Sequence, residues 1–170
     1  NLMNKFVWGN IKDPKVNIDH FHDNTIAVMK YRNTFLRLAE QLMQEAATET
    51  RVMGDTIINE ITDSTKIQEA IRVLDKSLEE IPLYQVPADF FLLNYISIYY
   101  AAGEQEKGND LAWALALDNA QTLRYIGSLS PNRRKALEND ERRSMQALQM
   151  LVDMARRNGE NAFAQEIQDM

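Results

Sequence analysis

Apolar residues recur at helical spacing along most of this sequence, and proline or glycine separates the segments in which they do so. The first such segment carries them three or four positions apart, or at sums of these intervals: Ile26, Met29, Phe35, Leu38, Leu42. No segment combines strand-like alternation with flanking turn signals. The pattern therefore predicts an all-α fold, with helices over 24–47, 65–80, 90–102, 104–125 and 131–158 and a short tail helix over 162–167.

Residues that start or stop helices fall between these segments. Thr65 with Gln68 three positions later is typical of a capping box, and Pro82 ends the helix that follows. Gly103 suits the position just after a helix, and Gly127 is expected to end the next one. Pro131 suits the first turn of the long helix near the carboxyl end.

The chain divides into an irregular lead-in over 1–23 and a helical domain over 24–170. Phe6 and Trp8 are the expected anchors of the lead-in and the candidate residues for contact with a preceding domain. Residues 48–64 weaken helix propensity with threonine and glycine and are interpreted as an insertion between paired helices. The isoleucines of this insertion fit one extra helical turn.

The helices also show the spacing of a tetratricopeptide repeat, which is a pair of antiparallel helices of about 34 residues. One segment matches the small, large, small and proline positions of its second helix, through Ala70, Leu74, Ser77 and Pro82. The next segment matches its first-helix positions, through Leu92, Tyr95, Ile96, Tyr99 and Gly103. A third match, through Gly108, Ala112 and Leu115, has its last two sizes inverted. The repeat predicts antiparallel hairpins stacked as a tetratricopeptide-like α-α superhelix.

Five segments together resemble one bacterial protein family: NLMNKFVWGN (1–10), DPKV (13–16), YRNTF-x-RLA (31–39), AI-x-VLDKS-x-EEIP (70–82) and YY-x-AGE-x-EKG (99–108). The sequence is similar to the domain-of-unknown-function-2723 family of multi-pass membrane proteins, which are similar to protein O-mannosyltransferases. The match covers about residues 1–130 in order. This sequence departs from the family in two places: 48–64 replaces a short Gly-Lys turn, and 19–23 replaces an acidic, asparagine-rich run.

The resemblance implies that this chain is the soluble C-terminal region of a glycosyltransferase-like membrane protein. The opening Asn-Leu-Met likewise suggests a piece of a longer protein. The family's glycosyl-transfer chemistry would lie in the membrane part, so no catalytic residue is carried onto this chain. The resemblance further implies a tetratricopeptide-like module on the periplasmic side of the inner membrane.

Composition narrows the function classes. The net charge of −6, without a basic stripe, argues against nucleic acid as a partner. The lack of cysteine removes thiolate chemistry, and no apolar run is long enough for insertion of this chain into a membrane. The arginine pairs are interpreted as ion-paired helix surface, and carboxylate pairs such as Glu79–Glu80 as solvated helix ends. The stretch Asp19–Asp23, with its two histidines, is interpreted as a polar lead-in to a helix, so no metal and no cofactor are predicted.

Six aromatic residues are concentrated between positions 84 and 100. Most are expected in the core, but Tyr84, Tyr95, Tyr99 and Tyr100 are candidates for binding a protein or peptide partner in a groove. The first hypothesis is therefore a non-catalytic interaction module. The alternative is a structural buttress for a preceding domain, and an independent hydrolase or metal enzyme ranks last.

Overall fold

The computed structural model describes residues 3–19, 27, 30–53, 56–61 and 63–170, with the backbone alone for 48–53 and 56–61. Within them the chain forms seven helices and one two-stranded sheet: α1 (Asn33–Ala46), β1 (Ala47–Met53), β2 (Thr56–Ile61), α2 (Ser64–Glu80), α3 (Leu92–Ala101), α4 (Gln105–Ser128), α5 (Pro131–Ala136), α6 (Glu138–Arg157), α7 (Asn161–Gln168). The helical body that the periodicity predicts is confirmed. The chain divides into two compact units, 1–87 and 88–170. No helix of these residues is both long and apolar enough to span a bilayer.

In unit 1, α1 and α2 pack against each other through the apolar faces that the sequence predicts. Small residues such as Ala39 and Ala70 are fully buried, which allows the helices to approach closely. Helix α1, which was predicted to begin at residue 24, begins at Asn33 after a π-helical turn over 30–32. Most of 24–29 lies outside the described residues. The predicted start of α2 is one residue late, because Asp63 provides its cap.

The Asp63 carboxylate accepts hydrogen bonds from the backbone N–H groups of Thr65 at 2.9 Å and Lys66 at 3.3 Å. It satisfies two of the donors that the first turn of a helix leaves free. The capping box predicted from Thr65 is therefore wrong in its residue: an aspartate two positions earlier performs that role.

The segment between α1 and α2 differs most from the prediction. Strands β1 and β2 pair antiparallel, with Val52 opposite Ile57 and Met53 opposite Thr56 and an irregularity between Ala47 and Glu49. These strands are a local departure from the all-α prediction, which holds for the other elements of the described residues, and the extra helical turn that the isoleucines fit is wrong. The physical reason is the density of threonine, valine and isoleucine, because branching at Cβ favours an extended backbone over a helical one.

The lead-in over 3–19 forms no helix or strand, as predicted, and side chains of the segment after α2 hold it to unit 1. The Tyr84 hydroxyl donates to the Lys12 carbonyl at 2.7 Å. The Gln85 amide donates to the carbonyls of Asp13 at 2.6 Å and Val16 at 3.1 Å. Unit 1 thus includes the lead-in as part of its packed structure.

A buried arginine fixes the loop that follows α2. The guanidinium of Arg32 is fully buried and donates to the carbonyls of Ile81, Val86 and Pro87 at 3.2, 2.7 and 2.8 Å. Hydrogen bonds from a charged donor to buried carbonyls are stronger than bonds between neutral groups. Arg32 therefore ties the start of α1 to the loop over 81–87.

In unit 2, α3 packs on α4, α4 on α6, and α6 on α7, with lesser contacts of α3 with α6 and α4 with α7. Gly103 and Gly159 have φ of 82° and 84° and end α3 and α6. The N–H groups of Gly103 and Glu104 donate to the carbonyls of Tyr100 and Tyr99, respectively. These two hydrogen bonds are the pair that defines a Schellman cap. Gly103 ends its helix as predicted, and the tail helix is confirmed as α7.

Two helix ends in unit 2 differ from the prediction. The long helix expected over 131–158 is broken at Leu137, where φ and ψ are −109° and 16°, so that α5 and α6 are separate. The helix expected to end at Gly127 continues to Ser128 and ends before Ser130, whose extended backbone is the conformation favoured before a proline.

Candidate ligand-binding cleft

Three of the four tyrosines proposed for partner binding are in the core. Tyr95, Tyr99 and Tyr100 are buried, so their rings are out of reach of a partner, and this part of the prediction is corrected. Tyr84 is exposed, but its hydroxyl already donates to the Lys12 carbonyl. The aromatic stripe over 91–99 stabilises the fold instead of forming a binding surface.

Tyr100 shows how these hydroxyls are used. Its Oη donates to Asn109 Oδ1 at 2.7 Å, and Asn109 Nδ2 donates to Glu160 Oε2 at 3.2 Å. Burial, and secondarily the charge of Glu160, raises the pKa of Tyr100 to about 12, so the hydroxyl keeps its proton to a higher pH than an ordinary tyrosine. This chain of hydrogen bonds joins α3, α4 and the residue before α7.

The two candidates for an interdomain contact have different environments. Trp8 is buried in unit 1, stacked on Phe35 at 4.8 Å between ring centroids and edge-on to Tyr31 at 5.3 Å. Phe6 contacts Trp8 but is 46% exposed, and Val7 beside it is 85% exposed. Trp8 is therefore an internal anchor, and the free apolar surface of the lead-in is at Phe6 and Val7.

The residues considered for acid–base or metal chemistry show no arrangement suited to that chemistry in the described residues. Of the stretch Asp19–Asp23, only Asp19 is described, and no group of three or more potential metal ligands occurs in the part of the chain that the structure describes. Lys12 Nζ forms ion pairs with a carboxylate oxygen of Glu79 and with one of Glu80, at 3.1 Å each. Burial acts to raise the pKa of Glu80, but hydrogen bonds from Lys76 and Lys12 outweigh it and lower the pKa, so this carboxylate is held ionised.

A cleft in unit 2 has the properties of a binding site. It encloses about 300 Å³ between the segment that precedes α3, the middle of α4 and the first half of α6. Its lining comprises Ala88, Asp89, Phe90, Leu115, Asp118, Asn119, Arg143 and Ala147. Leu115 and Ala147 are buried and supply an apolar floor, whereas Phe90 is 58% exposed.

Local hydrogen bonds position the walls of this cleft. The Asp89 carboxylate accepts from the backbone N–H of Phe91 at 2.8 Å, which fixes the turn that enters α3 and presents Phe90 beside the cleft. The Asn119 amide donates to the Leu115 carbonyl one turn earlier on α4, at 2.7 Å. The aromatic wall and the polar side of α4 are thus ordered by bonds within the chain.

Two opposite charges line the cleft without neutralising each other. Among the described residues, neither Asp118 nor Arg143 takes part in an ion pair or a side-chain hydrogen bond. The Asp118 side chain is exposed overall, but the atoms around its carboxylate partly desolvate it and raise its pKa, and no cation among the described residues offsets the effect. Both groups are consequently available to a bound molecule.

Larger hollows exist elsewhere, but they lack this combination. Hollows of about 370 Å³ and 360 Å³ lie in unit 1, beside Trp8 and beside Leu42. A broad depression of about 460 Å³ follows the outer face of α6 around Met145. The cleft differs because α4, α6 and the segment before α3 form it together and because an apolar floor adjoins two unpaired charges.

Sequence reasoning missed the residues of the cleft. The arginine pairs were expected to be ion-paired surface, which holds for Arg134 with Glu141 but not for Arg143. Asp118 lies on α4 between the buried positions Leu115 and Ala120. The sequence signal for Asp118 is an acidic residue at the margin of an apolar helix face. That signal does not show which residues of other elements surround Asp118.

Comparison of the chain with protein-family models, with curated proteins and with solved structures finds no match.

Proposed function

We propose that this chain is a non-catalytic helical interaction module that binds an extended segment of a partner protein in the cleft of unit 2. The observation that carries the proposal is the exposed ring of Phe90 beside an apolar floor and two unpaired charged groups. Binding sites on proteins combine apolar lining with a few polar groups that orient the ligand. At about 300 Å³, the cleft is at the lower end of the range for ligand pockets and is large enough for one large side chain of a bound segment.

The packing order of unit 2 supports a tetratricopeptide-like arrangement as part of this proposal. The hairpin α3–α4 and the pair α6–α7 lie side by side through α4 and α6, as two stacked repeats would. Gly108 is at the small-residue position of the predicted repeat and lies directly against the Tyr100 ring. Repeats of this kind commonly bind extended segments of partner proteins on the surface that stacking creates.

The setting of the module is proposed from the sequence resemblance. A chain similar to the C-terminal region of glycosyltransferase-like membrane proteins would act on the periplasmic side of the inner membrane, as part of the larger protein. There it would bind or orient a protein partner or acceptor, while the chemistry would take place in the membrane part.

Selection of displayed random peptides on the full chain tests the proposal. We expect selected peptides to bind wild-type chain and to lose about 10-fold or more in affinity for Phe90→Ala, because the ring forms a wall of the cleft. Tyr125→Ala is the matched control, since Tyr125 is an aromatic residue of the same unit, 61% exposed and outside the cleft. Failure to select any peptide, or equal binding to both variants, contradicts the proposal.

The exposed surface of Phe6 and Val7 favours a second candidate, a structural buttress for a preceding domain. Exposed apolar residues that adjoin each other on a lead-in are suited to a contact between domains. The same selection separates the two functions, because a buttress predicts that no peptide depends on Phe90.

A further inference from the structure

The charges around the cleft distinguish between classes of side chain that it could bind. Asp118 and Asp89 contribute two negative charges and Arg143 one positive charge, so the net charge of the lining is negative. Asp89 is engaged with the backbone of Phe91, which leaves Asp118 as the available carboxylate. An acidic side chain at this position would be repelled, whereas a basic one would be attracted.

The surroundings of Asp118 also suit a cation with an aliphatic stem. The floor formed by Leu115 and Ala147 is apolar, and lysine and arginine bury their methylene groups against such surface while the charged end stays at its edge. The exposed face of Phe90 adds a site for a cation over an aromatic ring. A neutral apolar side chain would use the floor but leave Asp118 partly desolvated and unpaired.

We propose, on the basis of the proposed function, that the cleft recognises a lysine or arginine side chain of the partner segment. The cation pairs with the Asp118 carboxylate, and the stem lies along Leu115 and Ala147 beside the Phe90 ring. The guanidinium of Arg143 is then free to donate to backbone carbonyls of the same segment, which suits an extended conformation with unpaired carbonyls.

Sequences of the selected peptides give the first measurement. We expect lysine or arginine to be enriched at one position of the peptides whose binding depends on Phe90. A selected peptide is then synthesised with that basic residue and with glutamine in its place, and both are titrated against wild-type chain and Asp118→Asn by fluorescence anisotropy at neutral pH.

The four affinities form a double-mutant cycle. Glutamine in the peptide should weaken binding to wild-type chain about 2- to 5-fold, the upper part of the range for an ion pair at an exposed carboxylate. The same change should have little effect on binding to Asp118→Asn, because the pairing carboxylate is already absent. Asp110→Asn is the matched control, an exposed aspartate on α4 outside the cleft, and should behave as wild type.

The outcomes separate this inference from the function on which it rests. Peptides that depend on Phe90 but show no basic enrichment and no dependence on Asp118 overturn the inference and leave the proposed function standing. An absence of Phe90-dependent peptides overturns both. Circular dichroism of each variant, compared with wild type, shows that a loss of affinity is not a loss of fold.

Discussion

Gly108→Ala tests the packing of α3 on α4 directly. A Cβ atom at this position would lie 2.7 Å from Cε1 and 2.8 Å from Cδ1 of the Tyr100 ring, closer than carbon atoms approach in folded proteins. The ring has little room to retreat, because it is buried and its hydroxyl is bonded to Asn109 at 2.7 Å. The substitution should therefore destabilise the chain, although alanine is the better helix former.

The expected magnitude follows from opposing contributions. Alanine in place of glycine inside a helix stabilises by about 1 kcal/mol. Overpacking of a buried site costs about 1–3 kcal/mol, and a strained hydrogen bond of Tyr100 costs about 1 kcal/mol more. The net loss is about 1–3 kcal/mol, which for a chain of 170 residues lowers Tm by about 2–4 °C per kcal/mol.

Urea and thermal unfolding followed by circular dichroism measure this change, and two controls identify its cause. Gly127→Ala, in the same helix with nothing within 4 Å of the added Cβ, should raise stability by about 0.5–1 kcal/mol. In a Tyr100→Leu background, Gly108→Ala should lose most of its penalty because the ring is gone. An increase in stability for Gly108→Ala in wild type, or an equal penalty in both backgrounds, would refute the packing argument.

Two further predictions concern single aspartates. Asp63→Ala should lower the free energy of unfolding by about 1 kcal/mol in urea titrations because it removes the cap of α2, whereas Thr65→Ala should change it by less than about 0.5 kcal/mol. Asp118→Asn should raise stability slightly at neutral pH, because burial raises the pKa of Asp118 and thus disfavours its charged form in the folded chain. That gain should disappear as the pH falls below about 3.9, where the unfolded carboxyl is also protonated, and a gain that persists at lower pH would contradict the assignment.

Periodicity and helix punctuation were sufficient to predict most of the helices. The predicted helix over 65–80 is α2 to within one residue, since a proline after it leaves little choice of end. The break at Leu137 was missed because neither proline nor glycine marks it and because Ala136 and Leu137 continue an apolar pattern. Helical spacing records which residues share a face, and it does not register a local change of direction between two helices.

The pairing of β1 with β2 and the burial of the tyrosines were not predicted, for a related reason. Ile57 and Ile58 are adjacent, so strict alternation fails in β2 even though their branched side chains favour a strand. Residues 91, 95 and 99 form a stripe at helical spacing, and that spacing is the same whether solvent or another helix covers the stripe. The cleft depends on residues of α4, α6 and the segment before α3, which are distant in sequence, so its composition follows from tertiary packing alone.

Asp118 is expected to affect both the stability of the free chain and, in the proposed function, the affinity for the partner. The Asp118 side chain is exposed, yet its unpaired carboxylate is partly desolvated, which is slightly unfavourable in the unbound chain, and an asparagine of nearly equal size would remove that cost. A carboxylate with a purely structural role would lose a bond when replaced, so its substitution would destabilise the fold. A carboxylate that binds a partner's cation gives the opposite pair of effects, because Asp118→Asn then stabilises the free chain while weakening the complex. Measurement of both quantities on this one variant therefore distinguishes a recognition residue from a structural one.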